Sequence, residues 1–315
     1  MDLAVVEEPA PEPANVPVGI DPDAELRKRR GLVPGAVLYQ AEVPNSARIY
    51  DRLLGGKDNF QADRDAADRL VELIPDLPAH ARENRYFLHR VVRELAKLGI
   101  DQFIDIGSGL PTQDNTHEVL HGLMRSQVHG TDRSVEQTRV VYVDYDELAC
   151  VHGRALVHGV DGVEMVHGDL RTPEKILDDP AVRKLIDFSR PVAVLMIAVL
   201  HFVTDAENPG AIVARVRDRL LEGSYLAISH ACADEMKPDD REAAVAVYKQ
   251  ASAPILPRSH AEITALFDGW ELLEPGVCEV SRWRPELDRV AIGGNGAPAS
   301  KRSGATFVGG VAVKR

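Results

Sequence analysis

The stretch QFIDIGSGLP, residues 102–111, decides the fold of this 315-residue chain. It is a short apolar run that ends in Asp105 and then breaks into Gly107 and Gly109. The pattern predicts a buried strand that turns sharply toward a helix, because glycine adopts backbone angles closed to other residues and lets a ligand lie against the main chain. In open α/β sheets such ligands bind outside the carboxyl ends of the strands. The stretch therefore predicts the corner of a sheet where an adenosine ligand binds.

The chain that follows residue 99 alternates strand and helix signals. Apolar runs predict five parallel strands, and helical patterns lie between them. The strands are expected at residues 102–106, 139–143, 163–167, 192–198 and 224–229, and the helices around 112–125, 145–158, 172–187 and 208–221. Two more helical stretches, 239–251 and 258–267, precede two runs that predict antiparallel strands, 271–280 and 306–313. We expect an α/β fold with a doubly wound, mostly parallel seven-stranded sheet covered on both faces.

Three segments are expected along the chain. Residues 1–42 contain recurrent prolines and no apolar periodicity, which is typical of a flexible leader. Residues 43–99 predict an N-terminal helical cap, whose first helix is capped by Ser46 and whose last helix runs from Pro78 to Gly99. Residues 100–315 then form the domain that contains the sheet.

Composition and charge exclude several classes of protein. The formal net charge is −12 and no long Lys/Arg run occurs outside residues 27–30, which disfavours nucleic acid as a partner. The three cysteines are far apart, which argues against a zinc cluster or a disulfide framework. The longest apolar run, residues 192–200, is too short to span a bilayer. We expect a cytoplasmic protein without a metal or a membrane anchor, and the sequence leaves its oligomeric state open.

Four polar residues follow the ends of successive predicted strands. Asp105 ends the first strand, Asp144 the second, Asp169 follows the third and His201 the fourth. In a doubly wound sheet these positions meet at one crevice. A carboxylate at Asp144 can accept from both ribose hydroxyls, and one at Asp169 can accept from an adenine amino group. Each of these two acids could instead cap the helix or turn that follows it.

The glycine corner favours a sulfonium cofactor over a dinucleotide. A dinucleotide site needs a third glycine and places pyrophosphate at the helix N-terminus. Here Thr112 stands at the third glycine position, Pro111 precedes it, and Asp105 lies just before the glycines. A carboxylate there repels pyrophosphate but suits the ammonium and sulfonium groups of S-adenosyl-L-methionine. An NAD-dependent oxidoreductase remains the less favoured alternative.

Several longer motifs carry a family resemblance. They are PNSARIYDRLLGGKDNF (44–60), ARENRYFLHR (81–90), DIGSGLPT (105–112), VVYVD (140–144), VLHFV (199–203), SRWRP (281–285) and the terminal FVGGVAVKR. With these motifs the chain resembles the actinobacterial family of S-adenosyl-L-methionine-dependent methyltransferases labelled type 19, within the class I Rossmann-like group. It departs from the family pattern in a longer connection between Met124 and Arg139.

The resemblance implies roles for individual residues. Asp105, Gly107, Gly109 and Pro111 would hold the methionine end and the adenosine backbone of the cofactor. Asp144 would bind the ribose, and Asp169 with Leu170 the adenine. The N-terminal helices would close over cofactor and acceptor through Tyr50, Lys57, Asp58, Asn59, Arg82 and Asn84, of which Asn59 and Arg82 are expected to touch the cofactor.

The reaction expected from these observations is in-line methyl transfer to an unknown small-molecule acceptor. His201 is the candidate general base, and a structural or acceptor-lining role is the alternative for this residue. His230, at the end of the fifth predicted strand, could line the acceptor pocket or lie in the core. A different function is also open: the protein could bind the cofactor, or its demethylated product, as a regulator that methylates nothing.

Overall fold

The structure is a computed structural model that describes residues 41–110, 115–126, 135–290 and 304–315. The chain from Ala41 onward forms one compact unit. Pro111 and nearly all of the expected leader, residues 1–42, lie outside the described residues. Within the described part, no helix combines the length and apolarity that a membrane crossing requires.

The chain begins with three helices, α1 (Ser46–Leu53), α2 (Gln61–Leu73) and α3 (Leu77–Lys97). The N-cap of α1 is Asn45 rather than Ser46, because the Asn45 side chain accepts from the amides of Ala47 and Arg48 at 2.9 and 3.2 Å. Asp63 fixes α1 to α2 from a buried position, since it accepts from the Asn45 amide at 2.8 Å and from Arg48 Nε at 2.7 Å. Pro78 lies in the first turn of α3 and the helix ends just before Gly99, as predicted.

Alternating strands and helices follow. The strands are β1 (Gln102–Ile106), β2 (Arg139–Asp144), β3 (Val163–His167), β4 (Ala193–Ile197), β5 (Tyr225–Cys232), β6 (Glu271–Leu272), β7 (Cys278–Glu279) and β8 (Thr306–Val313). The helices are α4 (Thr116–Ser126), α5 (Glu147–Val157), α6 (Pro173–Leu177), α7 (Pro180–Leu185), α8 (Pro209–Arg219), α9 (Pro238–Tyr248) and α10 (His260–Ala265). The single helix expected at 172–187 is two short helices, because Pro180 starts a new one.

The strands form one sheet in the order β3-β2-β1-β4-β5-β8-β6. Strands β1 to β5 are parallel, and β8 runs antiparallel between β5 and β6. The doubly wound, mostly parallel α/β fold is therefore confirmed. The described residues form eight strands instead of seven. The run expected as one strand, 271–280, is interrupted after Leu272 and resumes at Cys278, and both short pieces pair with β8.

Both faces of the sheet are buried, which explains the almost continuous apolar strands. Along β1, Ile104 and Ile106 pack into one apolar cluster and Phe103 into another on the opposite face. Helix α3 joins this second cluster through Phe87 and Leu88. A third cluster lies between α1, α2, the start of α3 and α9. The N-terminal helices therefore pack beside the carboxyl ends of the strands as well as on one face of the sheet.

Candidate active site

A partly open cavity of about 350 Å³ lies at the carboxyl ends of β1, β2 and β4. Strand-end residues line one part of it, and the N-terminal helices with α9 line the rest. The predicted residues that it brings together are Asp105, Gly107, Gly109, Asp144, Asp169, Leu170 and His201. Asn59 and Arg82 are not among its lining residues. The residues predicted at the strand ends therefore lie around one cavity.

Gly107 sits in a turn that another residue would disturb. Its φ of 76° lies in the left-handed region, and a Cβ there would lie 2.2 Å from Val199 Cγ2. The amides of Gly107 and Ser108 donate to the Val143 carbonyl at 2.7 and 3.2 Å, and that of Gly109 donates to Asp144 Oδ2 at 2.7 Å. These three donors are engaged by β2, so they do not form the amide cradle that a pyrophosphate requires.

Asp144 is held by two backbone amides. Its Oδ2 accepts from Gly109 and its Oδ1 from Asp146, at 2.7 and 2.8 Å. Burial raises the pKa of Asp144 to about 6, although these hydrogen bonds oppose the shift. The helix-cap alternative for Asp144 is wrong, because Asp146 caps α5 by accepting from the Ala149 amide. Each Asp144 oxygen keeps a second lone pair, which is the capacity that two ribose hydroxyls need.

Asp105 and Asp169 differ in their surroundings. Asp105 is 5% exposed and accepts from Thr116 Oγ1 at 2.7 Å, and burial raises its pKa while Arg85 lowers it. Asp169 is half-buried and its carboxylate already pairs with Arg171 at 3.1 Å. Arg171 also pairs with Glu207 at 2.6 Å, which fixes the guanidinium at the rim of the cavity.

His201 is placed at the cavity but not as a base. Its Nδ1 accepts from the Ala231 amide at 3.3 Å, so the proton of the neutral ring is on Nε2. Burial, with His230 and Arg258 nearby, holds the pKa of His201 well below its usual value. A ring in this state donates from Nε2 and has its lone pair already engaged, so the geometry does not support the predicted general base. It fits the alternative, a residue that lines the acceptor space.

His230 lies in the core, where it does not line the cavity. It is fully buried between the Ala231 carbonyl and Arg258 Nη1, at 2.8 and 3.0 Å. Burial lowers its pKa to about 4. Arg258 also donates to the carbonyls of Leu200 and Val203, at 3.2 and 2.8 Å, and so holds the segment that carries His201. Sequence reasoning missed Arg258, which precedes the capping residue of α10 and carries no local signal.

The N-terminal helices contribute some of the expected residues and two that were not expected. Asn59 donates to Asp51 Oδ2 and to the Gly56 carbonyl at 2.8 and 3.0 Å, so it closes its own loop. Arg82 is exposed. Of the residues expected to close over cofactor and acceptor, Tyr50 and Asn84 line the cavity, and Asp51 and Arg85, which were not predicted, line it as well. The cofactor contacts expected at Asn59 and Arg82 are therefore not supported.

Comparison with known proteins shows the family. The family model described as S-adenosyl methyltransferase matches residues 36–315. The chain belongs to this family. It is 38% identical to a candidate methyltransferase from Thermobifida fusca, over 87% of this chain and 96% of that one, with a TM-score of 0.74. It is 36% identical to a DUF574 family protein from Streptomyces avermitilis, over 87% and 99%, with a TM-score of 0.76. No curated protein matches the chain. By its family match the protein is an S-adenosyl-L-methionine-dependent methyltransferase.

The residues that meet in the cavity suit this cofactor. The corner provides a glycine at a position that a Cβ would block, and carboxylates face the cavity from β1 and β2. Among the described residues, no group of His, Cys, Asp or Glu side chains is arranged to hold a metal ion.

Beyond this corner, the cavity of the methyltransferase has largely apolar walls. They are formed by Leu70, Ile74, Leu77, Phe202, Met236, Val245, Tyr248 and Ile255. Residues 44–46 cross over this space. Asn45 Nδ2 donates to Asp146 Oδ2 at 2.7 Å, and the Pro44 carbonyl accepts from the Ser252 amide at 2.8 Å. The segment thus joins the cofactor side of the cavity to the apolar side.

Proposed function

We propose that this methyltransferase transfers the methyl group to a small molecule with a largely apolar body. The observation that carries the proposal is that the strand-end corner and the apolar compartment belong to one continuous cavity. A concave, mostly apolar space with a few polar groups is typical of small-molecule sites.

The cofactor orientation that we propose follows the strand ends. Asp144 binds the ribose hydroxyls, and Leu170 with Asp169 contacts the adenine. Asp105, Gly107 and Gly109 face the methionine end. The support for this orientation is the engaged glycine amides and the two free lone pairs of Asp144. Because Asp169 is paired with Arg171, its contribution to the adenine contact is the weaker of the two.

When bound, the cofactor supplies a methyl group on a sulfonium, which is already a strong leaving group. The protein therefore contributes mainly alignment and the exclusion of water. Apolar side chains from α2 and α9 line the compartment and disfavour water there, and residues 44–46 link its two sides. His201 Nε2–H and the Tyr248 hydroxyl are polar groups at this cavity that can orient the acceptor. His201 acts as a hydrogen-bond donor in this proposal.

The test combines cofactor binding with an acceptor screen. Isothermal titration should show binding of S-adenosylmethionine and of S-adenosylhomocysteine. A panel of small aromatic and aliphatic alcohols and amines is then screened for formation of S-adenosylhomocysteine. Turnover on a member of the panel supports the proposal and excludes a purely regulatory cofactor-binding protein. Turnover confined to protein or nucleic-acid substrates would refute it.

A matched pair of variants on α9 tests whether the compartment holds the acceptor. Val245 lines the cavity, whereas its neighbour Ala246 is exposed. Val245→Trp should fill the compartment and raise the acceptor KM or abolish turnover, while S-adenosylhomocysteine still binds. Ala246→Trp adds the same ring outside the cavity and should leave both properties unchanged. Equal turnover of the two variants would show that the acceptor binds elsewhere.

A further inference from the structure

Asn84 presents a buried hydrogen-bond acceptor to the cavity. It lies on α3, is 1% exposed and lines the cavity. The Tyr50 hydroxyl donates its proton to the Ala81 carbonyl at 3.0 Å, so its oxygen must accept, and Asn84 Nδ2 donates to it at 2.9 Å. These hydrogen bonds fix the orientation of the Asn84 amide. Nδ2 is used within the protein, and Oδ1 is the amide atom that a ligand can contact. Oδ1 has no hydrogen-bond partner among the described residues.

An acceptor buried in this way is costly unless a ligand supplies a donor. Any ligand that satisfies Asn84 Oδ1 must offer an N–H or O–H group. Two sources exist at this cavity: the cofactor and the methyl acceptor.

The neighbours of Asn84 favour the cofactor as the source. Arg85, the next residue of α3, lines the same cavity and lowers the pKa of Asp105, against the larger effect of burial. Arg85 Nη2 donates to Asn115 Oδ1 at 3.2 Å, and the next residue, Thr116, donates to Asp105 Oδ2 at 2.7 Å, so Arg85 is tied to the segment that contacts Asp105. Asn84 therefore lies toward the Asp105 end of the site. In the proposed orientation this end receives the methionine moiety, which carries an α-ammonium group and an α-carboxylate.

We propose that Asn84 Oδ1 accepts a hydrogen bond from the α-ammonium group of the cofactor and that Arg85 faces its α-carboxylate. The inference rests on the cofactor orientation of the proposed function. It adds two residues of the N-terminal helices to the amino-acid end of the cofactor, which Asp105 and the two glycines face from the end of β1. Asn84 is complementary to the ammonium because an amide oxygen only accepts, and Arg85 to the carboxylate because a guanidinium only donates.

Three ligands test this inference by isothermal titration. S-Adenosylhomocysteine carries both charged groups, its desamino analogue lacks the ammonium, and 5′-methylthioadenosine lacks the whole amino-acid part. Asn84→Ala should bind S-adenosylhomocysteine about 10- to 100-fold more weakly than the wild type, as for loss of a hydrogen bond to a charged group. It should bind the other two ligands within about twofold of the wild type, since neither offers an ammonium. Lys97→Ala, at the exposed C-terminal end of the same helix, should leave all three affinities unchanged.

Two further variants keep the inference falsifiable if Asn84→Ala folds poorly. Asn84→Asp keeps the shape and an acceptor oxygen, so it should retain S-adenosylhomocysteine binding. Tyr50→Phe removes the oxygen that orients the amide, so it should weaken S-adenosylhomocysteine and spare 5′-methylthioadenosine. Thermal unfolding of each ligand-free variant checks the fold.

Several outcomes would overturn the inference. One is an equal loss for S-adenosylhomocysteine and 5′-methylthioadenosine in Asn84→Ala. Another is unchanged binding of all three ligands with a raised acceptor KM, which would make the acceptor the source of the donor. These outcomes are independent of the acceptor class. A wild-type protein that binds all three ligands as expected but methylates no small molecule would refute the proposed function and leave this inference intact.

Discussion

Replacing Asp144 by alanine should weaken cofactor binding by about 1.5–3 kcal/mol, because it removes hydrogen bonds from the ribose hydroxyls to a charged group. This corresponds to roughly a 10- to 150-fold higher Kd, at 1.36 kcal/mol per factor of ten. The variant also releases the Gly109 amide, which in the wild-type protein donates to Asp144 Oδ2 at 2.7 Å. The measurement is isothermal titration of S-adenosylhomocysteine at pH 7.5.

The pH dependence gives a second measurement on the same residue. In the ligand-free protein burial raises the pKa of Asp144 to about 6, and ribose hydroxyls donate to the ionised form. Affinity should therefore be complete above pH 6 and should fall as the pH drops below 6, by up to about tenfold per pH unit. Asp144→Ala should lose this part of the profile. Burial also raises the pKa of Asp105, so a residual dependence remains, and the difference between the two profiles isolates Asp144.

The control is Asp161→Ala, which removes an exposed carboxylate from the turn before β3. It should change neither the Kd nor the pH profile. A Kd for Asp144→Ala within twofold of that of Asp161→Ala would refute the ribose assignment, and so would identical pH profiles.

Three further predictions address the turn, the acceptor side and the segment that carries His201. Gly107→Ala should destabilise the fold by about 1–3 kcal/mol more than Gly159→Ala in urea unfolding, because both glycines have a φ of 76° but only the Cβ at 107 meets Val199. Once an acceptor is known, His201→Gln should retain turnover within about tenfold and the wild-type pH profile, since an amide also donates. A loss of turnover on the order of 10²–10⁴-fold would instead show that His201 is the general base. Arg258→Met should cost about 3–5 kcal/mol of folding free energy, because it strips buried carbonyls of their donor, whereas Arg215→Met, which breaks an exposed pair with Glu174, should cost about 0–1 kcal/mol. Equal costs for these two arginines would contradict the role of Arg258.

The parts that sequence could predict are those with a local signal. Strand β1 is buried at every position, and its apolar run in the sequence predicts this burial directly. Asp105 and Asp144 come at strand ends, and parallel topology brings such ends together without any knowledge of side-chain contacts. The same reasoning failed for residues 271–280, since two short strands and one longer strand have the same apolar content.

The roles of His201 and Asn59 depend on partners that a linear reading does not show. The tautomer of His201 is set by the amide of Ala231, thirty positions away in the chain. Asn59 lies in a polar loop of the kind that often contacts a ligand, but its side-chain amide donates a hydrogen bond to Asp51 within the N-terminal helices. In both cases the residue type permits the functional role, and hydrogen bonds within the protein argue against it.

The choice between Arg82 and Arg85 was within reach of helical periodicity. At 100° per residue, Leu88 lies roughly 20° from Ala81 around the axis of α3, Asn84 roughly 60° and Arg85 roughly 40°, while Arg82 lies roughly 100° away. Ala81, Asn84 and Leu88 are all buried, so Arg85 borders the inward stripe and Arg82 falls outside it. A motif such as ARENRYFLHR identifies a segment of functional interest but does not distinguish Arg82 from Arg85. The period of the helix separates them, because a side chain can reach a ligand only from the stripe that faces it.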